Sequence, residues 1–336
     1  MRARSTTEAH RASTPLELFF DLCFVVAVAQ AASGLHHALA ETHYADALVG
    51  YVTVFFAIWW AWMNFTWFAS AYDTDDVAYR LAVFVQITGA LLIAAGVPRA
   101  FDDHDFGIVV LGYVVMRAAL VAQWLRAAAS DPDGRACARR YAAGVTACQV
   151  GWVALLVVPD TWRLAGFALL VVAEMLVPVW AEQAGRTAWH PRHIAERYGL
   201  FTIIVLGESV LAATVAFQQA LDGGTGLADL AVVGGGALLV VFAMWWLYFD
   251  QPADQTVERA RAAFDESTRA GFVWGYGHLV VFASAAAVGA GIEVAVDHAV
   301  HPDEVSATLA AGAVAVPVVL YMLSVRVLHT ARRSAA

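Results

Sequence analysis

The chain has 336 residues, of which 60% are hydrophobic and only 15% are charged, and its formal net charge is −9. Soluble domains carry about 45–50% apolar and about 25% charged residues, so this composition excludes an ordinary soluble protein, and the negative charge argues against a nucleic-acid partner. Because the sequence contains no lysine, a lysine-linked cofactor and a P-loop are excluded, so we expect no cofactor and expect any uphill transport to use a gradient.

Apolar stretches long enough to cross a bilayer follow one another along the chain. A spanning helix needs about 20 apolar residues. The stretches predict transmembrane helices at residues 15–38, 46–69, 78–98, 107–129, 137–158, 161–182, 194–220, 228–249, 270–296 and 304–328. We therefore predict an all-α, polytopic transmembrane helix bundle of about ten helices. It forms a single domain over residues 14–330, with tails at 1–13 and 331–336.

The arginines predict how the helices are oriented. Seventeen of the twenty arginines fall on the side of the N-terminus, in the tails, the loops or the adjoining ends of the spans, and only Arg99 and Arg163 fall opposite. Under the positive-inside rule both tails are cytoplasmic, in a multi-pass protein of the cell membrane. The opposite loops carry carboxylates that either attract cations or are simply solvated: Glu41, Asp46, Asp102, Asp103, Asp105, Asp160, Asp222, Asp229, Asp297, Asp303 and Glu304.

The first predicted helix carries two carboxylates, Glu17 and Asp21, which are four residues apart and share a face. Thr14 and Glu17 match a capping box with Pro15 at the first helical position, so Glu17 has either a capping or a functional role. Asp21 has no such local explanation. Because a charge within a membrane span costs about 2.5–3.5 kcal/mol on insertion scales, Asp21 is a candidate ion ligand.

The second and eighth predicted helices both end in neighbouring tryptophans, at residues 59–62 and 245–246. This similarity, together with carboxylates on the first and seventh helices, suggests a weak internal duplication offset by six helices. An aromatic belt at the inner membrane interface explains the same tryptophans without duplication. Asn64 adds an uncharged polar group to the second helix and is a further candidate for the ion site.

Three more ionisable residues lie within predicted spans. Arg117 on the fourth helix stays charged, so we expect it to face one of the carboxylates Glu208, Glu174 or Asp21. His278 on the ninth helix either relays protons or serves as a satisfied hydrogen-bonding group. Together with Glu174 on the sixth helix, these residues predict a polar network at depth.

Glu208 in the seventh predicted helix lies near the middle of the bilayer if that helix spans residues 194–220. A carboxyl group at this depth is either protonated or held by a cation, and both states suit proton or cation handling. A neutral glutamate that hydrogen-bonds two helices together is the structural alternative.

A second group of polar residues falls at the predicted cytoplasmic rim. Carboxylates and histidine at one interface can bind a divalent metal, which is the basis of an enzyme alternative. No complete ligand pattern is present, so helix capping and solvation explain the same residues, and the metal stays unknown. The rim candidates are Asp73, Asp75, Asp76, His193, Glu196, Arg197 and Asp250.

Three motifs carry a family resemblance. Residues 16–22 (LELFFDL), 72–76 (YDTDD) and 196–209 (ERYGLFTIIVLGES) resemble the bacterial low-temperature-requirement protein A family. The resemblance implies a polytopic membrane protein without ATPase machinery and does not imply a substrate. The positions that it carries over are Glu17, Asp21, Asp73, Asp75, Asp76, Glu196, Arg197, Glu208 and Asp250.

Three functions remain open at this point. The first is a gradient-driven transporter or an ion- or proton-conducting protein, in which Asp21 and Glu208 bind the ion and Arg117 balances their charge. The second is a metal-dependent membrane enzyme that acts on lipid head groups at the rim. The third is a structural protein of stress adaptation. We expect the lipid bilayer and a small ion or solute as partners, and association of several copies of the chain is left open.

Overall fold

The chain is all-helical in the part that the structure, a computed structural model, describes: Met1, Arg4 and residues 12–222, 224, 226–250 and 268–330. Ten α-helices and no strand lie in these residues, which confirms the predicted fold class. The helices are α1 (Pro15–Ala40), α2 (Tyr44–Tyr72), α3 (Val77–Asp102), α4 (Gly107–Ser130), α5 (Arg135–Leu155), α6 (Asp160–Glu182), α7 (Pro191–Asp222), α8 (Leu227–Phe249), α9 (Thr268–Val300) and α10 (Ala307–Thr330). The tail predicted at 331–336 and most of the tail at 1–13 lie outside the described residues.

Nine of the ten described helices are long and apolar enough to cross a membrane. The exception is α5, whose first two turns carry Arg135, Arg139 and Arg140 and whose remainder is rich in small residues. A helix corresponds to each predicted span, so the protein is a multi-pass membrane protein. It stays a prediction that α5 also crosses the bilayer. The orientation of the tails depends on the number of spans, so it stays a prediction too.

Local signals set several helix ends. Thr14 and Glu17 form the predicted capping box, because the backbone N–H of Thr14 donates to Glu17 Oε2 (2.8 Å) and that of Glu17 donates to Thr14 Oγ1 (3.2 Å). The carboxylate of Asp76 caps α3 by accepting a hydrogen bond from the backbone N–H of Tyr79 (2.9 Å).

The assignment of Asp297 to a loop was wrong, since α9 continues to Val300. His36 contacts this carboxylate, with Nε2 2.6 Å from Asp297 Oδ2.

The described chain divides into two compact units. Unit 1 comprises residues 1–27 and 56–194, and unit 2 comprises residues 28–55 and 195–336. In unit 1, α3 packs on α4, α4 on α5 and α5 on α6. Gly89 and Gly112 bring α3 and α4 together so closely that a Cβ atom on Gly112 would lie 2.5 Å from the carbonyl oxygen of Gly89. These two helices are therefore in backbone contact.

In unit 2, α9 packs on α10, and both contact α8. Gly291 of α9 lies against the backbone of Ala313, so any side chain there would collide with α10. The hydroxyl of Tyr321 on α10 donates to the carbonyl of Met244 on α8 (3.0 Å), which ties these helices by a buried polar contact. Unit 2 thus has its own interior, and the internal duplication stays a prediction.

The tryptophans at residues 59–62, in the middle of α2, are core residues. Trp59, Trp60 and Trp62 expose none of their surface, whereas Trp245 and Trp246 on α8 are about half exposed or more. Residues of an aromatic belt face the membrane interface. The belt interpretation is therefore wrong for the α2 tryptophans, and the N–H groups of Trp60 and Trp62 serve instead as donors to buried carboxylates, as described below.

Candidate functional site

Glu17 lies at the N-terminal end of α1 and is almost completely buried. Besides its capping contacts, its carboxylate accepts a contact from His193 Nε2, which lies 3.1 Å from Oε1 and 3.2 Å from Oε2. His193 was predicted to join the rim carboxylates near Asp73, and the structure places it against Glu17. Glu17 therefore combines the predicted capping role with a buried histidine contact.

Asp21 lies one turn further along α1 and is fully buried. The indole N–H of Trp62 on α2 donates to its Oδ1 at 2.6 Å. Because hydrogen bonds to a charged acceptor stabilise it by about 1.5–3 kcal/mol, this donor offsets part of the cost of burying the carboxylate. The contact holds Asp21 in place within unit 1.

Glu174 on α6 is the centre of a buried polar network in unit 1. The indole N–H groups of Trp60 and Trp152 donate to its two oxygens at 2.8 and 3.1 Å. Arg117 Nη2 lies 3.5 Å from Oε1, and the same nitrogen donates to the hydroxyl of Tyr113. Of the three carboxylates predicted for Arg117, the structure pairs it with Glu174. The network is a neutralised ion pair with aromatic donors on both sides.

Asn64 contacts its own helix, whereas His278 contacts both its own helix and α8. The side-chain amide of Asn64 donates to the carbonyl of Trp60 one turn earlier (2.8 Å). His278 places Nδ1 2.8 Å from the carbonyl of Trp274 and Nε2 3.1 Å from the hydroxyl of Tyr248. Both ring nitrogens thus have neutral partners, which favours the hydrogen-bonding role of His278 over the relay role.

The rim carboxylates are engaged by the protein itself. Asp76 caps α3 and is bound by both terminal nitrogens of Arg126, one of them at 2.9 Å from Oδ1. Asp75 accepts two hydrogen bonds of 2.8 Å from Arg80, and Asp73 lies 4.0 Å from Arg4. Hydrogen bonds from Arg126 hold the pKa of Asp76 well below its ordinary value, and those from Arg80 lower the pKa of Asp75.

The other rim candidates are spread over α7 and the end of α8. Glu196 is half-buried and Arg197 fully buried near the start of α7, whereas Asp250 is exposed. Among the residues that the structure describes, no three histidine, cysteine or acidic side chains come together in a way that could hold a metal ion. The described rim therefore has the geometry of capping and ion pairing.

Glu208 lies near the middle of the 32-residue helix α7 and lines a cavity of about 620 Å³ in unit 2. The carboxylate is half-buried, whereas Asp21 and Glu174 expose at most 1% of their surface. The next residue, Ser209, packs against Gly289 of α9 and donates to the carbonyl of Ala285 (3.2 Å). This close contact between α7 and α9 fixes Glu208 at the wall of the cavity.

The same cavity contains His36 and Glu293, which the sequence interpretation missed, and Asp297, which it assigned to a loop. His36 on α1 places Nε2 2.6 Å from Asp297 Oδ2 and Nδ1 3.0 Å from Glu293 Oε2. The signal was available, since His36 and Glu293 both fall inside predicted spans, and Glu293 and Asp297 are four residues apart on one face of α9. What the sequence could not indicate is that α1 brings His36 to that face.

Comparisons with known proteins agree with the motifs. The family model described as bacterial low temperature requirement A protein matches residues 12–336. A curated protein of Rhizobium meliloti (strain 1021), described as the uncharacterized protein RA0937, is 28% identical over 292 residues, which cover 83% of this chain and 68% of the relative. No solved structure matches the chain. Since the family model covers nearly the whole sequence, the chain belongs to the bacterial low temperature requirement A family.

Proposed function

We propose that this protein is a gradient-driven transporter or an ion- or proton-conducting protein of the bacterial cell membrane, and that the cavity lined by Glu208 is part of the ion path. The observation that carries the proposal is a half-buried carboxylate at the middle of a long apolar helix, facing a cavity of about 620 Å³. Ionisable groups at such depth are costly and mark ion or substrate pathways when they line a cavity.

The size of the cavity suits a small solute. A water molecule occupies about 30 Å³ in the liquid, so a cavity of about 620 Å³ has room for a cation with its hydration shell. Glutamine, serine and histidine side chains contribute to its wall besides the carboxylates. A polar wall of this kind can replace part of the water around an ion.

The charge of the wall favours cations. Glu208, Glu293 and Asp297 contribute carboxylates, and His36 is the ionisable group that contacts two of them. Clefts lined by one sign of charge raise the local concentration of the opposite charge. Asp21 and Glu174 of unit 1 are less suited to binding a cation, because indole N–H groups already donate to both carboxylates and Arg117 pairs with Glu174. The proposed ion site therefore rests on Glu208.

Flux measurements in proteoliposomes test the proposal. Glu208→Gln keeps the size of the side chain and removes its charge, and Glu304→Gln is the matched control because Glu304 is exposed in the loop between α9 and α10. Proton flux and the flux of monovalent cations are followed with internal dyes. We expect Glu208→Gln to lower the flux at least about tenfold, equivalent to about 1.4 kcal/mol. The flux of Glu304→Gln should equal that of the wild type.

Two results would refute the proposal. One is equal flux in the wild type and Glu208→Gln for protons and for each cation tested. The other is a wild-type flux no greater than that of empty liposomes when the orientation and folding of the inserted protein have been checked.

A further inference from the structure

The His36 ring lies between two carboxylates on one face of α9. Nε2 is 2.6 Å from Asp297 Oδ2, within a hydrogen bond, and Nδ1 is 3.0 Å from Glu293 Oε2, at an ion-pair distance whose angle lies outside hydrogen-bond geometry. The side chains of His36 and Glu293 are 15% and 17% exposed, and that of Asp297 is 37% exposed. The three residues form a cluster, here called the His36 triad, at the wall of the cavity.

The geometry of the His36 triad sets its proton count. A neutral imidazole has one N–H donor and one bare nitrogen, and an ionised carboxylate can only accept. If Nε2–H donates to Asp297, a bare Nδ1 would hold its lone pair 3.0 Å from an oxygen of Glu293. A proton on Nδ1 replaces this repulsion by an ion-pair attraction to Glu293. An imidazolium places an N–H beside a carboxylate oxygen on both sides of the ring, so the geometry favours the proton on His36.

The surroundings leave this proton exchangeable. The other ionisable groups that line the cavity are Glu208 on α7, His37 on α1 and His301 just beyond α9, and no arginine lines it among the residues that the structure describes. Arginine, which binds Asp76 at the rim, cannot give up its proton in a protein, whereas histidine gains and loses one near neutral pH. The carboxylates of the triad therefore have a partner that can lose its proton and its positive charge.

The position of the triad suits proton entry. Glu293 and Asp297 are one turn apart, about 6 Å along α9, and the more exposed of the two is nearer the end of the helix. Under the predicted topology this is the outer end of α1 and α9. Glu208, in the middle of α7, lines the same cavity at greater depth. A proton taken up by the triad thus lies at a cavity that also contains the proposed ion site.

We propose that the His36 triad is a proton-binding site, so that the ion used by the proposed transport or conduction is the proton. In loading, a hydronium ion in the cavity gives one proton to Nδ1 of neutral His36 and leaves water. In release, the Nδ1–H bond breaks, water takes the proton, and a neutral imidazole remains between the carboxylates. The assignment of the ion rests on the proposed function, whereas the protonation of His36 can be measured without it.

Nitrogen-15 NMR of histidine-labelled protein in lipid nanodiscs measures the charge of the ring directly. The His36 signal is assigned by its loss in His36→Gln. We expect an imidazolium with both nitrogens protonated at pH 7.5, where an unperturbed imidazole is at least about 90% neutral. Asp297→Asn and Glu293→Gln should each convert His36 to the neutral form. A neutral His36 in the wild type, or one whose charge both variants leave unchanged, would overturn the proton site.

Flux measurements separate the two proposals. His36→Gln should lower proton flux at least about tenfold, whereas His43→Gln should not. His43 is the matched control because it contacts Glu41 at 3.7 Å in an exposed pair outside the cavity. If Glu208→Gln abolishes flux and His36→Gln does not, the triad is not part of the path and the proposed function stands. If no variant changes the flux and His36 is an imidazolium, the proposed function fails and the proton site stands.

Discussion

The two units treat their carboxylates in different ways. In unit 1, Asp21 and Glu174 are buried to 1% exposure or less and are held by indole N–H groups, with Arg117 adding a positive charge beside Glu174. In unit 2, Glu208 and Glu293 are only partly buried and line a cavity. A carboxylate with fixed donors stabilises one structure, and a carboxylate beside a cavity can exchange partners. The carboxylates of both units thus lie deep within apolar helices, and they differ in whether a cavity makes them accessible.

The largest expected effect concerns the stability contributed by Glu174. Glu174→Gln keeps an acceptor for one indole and leaves the charge of Arg117 buried without its counterion. Breaking a buried ion pair in this way costs about 3–5 kcal/mol in the free energy of unfolding. Glu208→Gln should change the free energy of unfolding by less than about 1 kcal/mol, because Glu208 lines a cavity whose described wall contains no arginine. Unfolding in mixed detergent micelles, followed by circular dichroism, measures both.

A double substitution identifies the cause of the Glu174 effect. Arg117→Met combined with Glu174→Gln removes the unpaired charge and should recover most of the lost stability. Equal stabilities of Glu174→Gln and Glu208→Gln would contradict the distinction between the two units. A double variant as unstable as Glu174→Gln would show that the lost indole contact, rather than the charge of Arg117, is responsible.

A smaller effect is expected at the glycines. Gly112→Ala would place its Cβ 2.5 Å from the carbonyl oxygen of Gly89 and 2.7 Å from the backbone nitrogen of Ile93, so α3 and α4 must move apart. Overpacking of this kind costs about 1–3 kcal/mol in the free energy of unfolding. At Gly207, next to Glu208, a Cβ atom would have open space within 4 Å. Gly207→Ala should therefore not destabilise the protein, and the same unfolding experiment checks both variants.

If Gly207→Ala destabilised the protein as much as Gly112→Ala, the side of α7 next to Glu208 would be packed rather than open. A loss of flux in Gly207→Ala without a loss of stability would instead locate the ion path next to this residue.

The smallest expected effect is a pH dependence at the rim. Hydrogen bonds from Arg126 hold the pKa of Asp76 below its ordinary value, so the carboxylate contributes stability above about pH 4 that is lost as the pH falls towards the lowered pKa. The pair is partly exposed, and screening keeps its contribution to the free energy of unfolding below about 1 kcal/mol. In Arg126→Gln, the pKa of Asp76 is no longer lowered by Arg126. The loss of stability below about pH 4 should therefore be smaller in this variant than in the wild type. An unchanged pH profile would show that the contact contributes nothing.

Much of the fold could be predicted because it depends on local properties. The length of each apolar stretch predicts a helix, since every residue adds about 1.5 Å. Thr14 and Glu17 predict where α1 begins, because the two residues of the cap are only three positions apart. Glu208 was likewise found from its position within one helix. α5 shows the limit of this approach, because its arginines and small residues leave its relation to the bilayer open.

The sequence by itself determined that the chain is helical and membrane-embedded and that certain carboxylates lie at depth. Only the tertiary structure decided which of these carboxylates are held by another side chain, because the partners lie far away in the chain. Trp60 is 114 residues from Glu174, and His36 is 261 residues from Asp297. Local periodicity indicates which face of a helix a residue occupies and contains no information on which distant side chain meets that face. For that reason Arg117 had three possible partners in the sequence and has Glu174 in the structure.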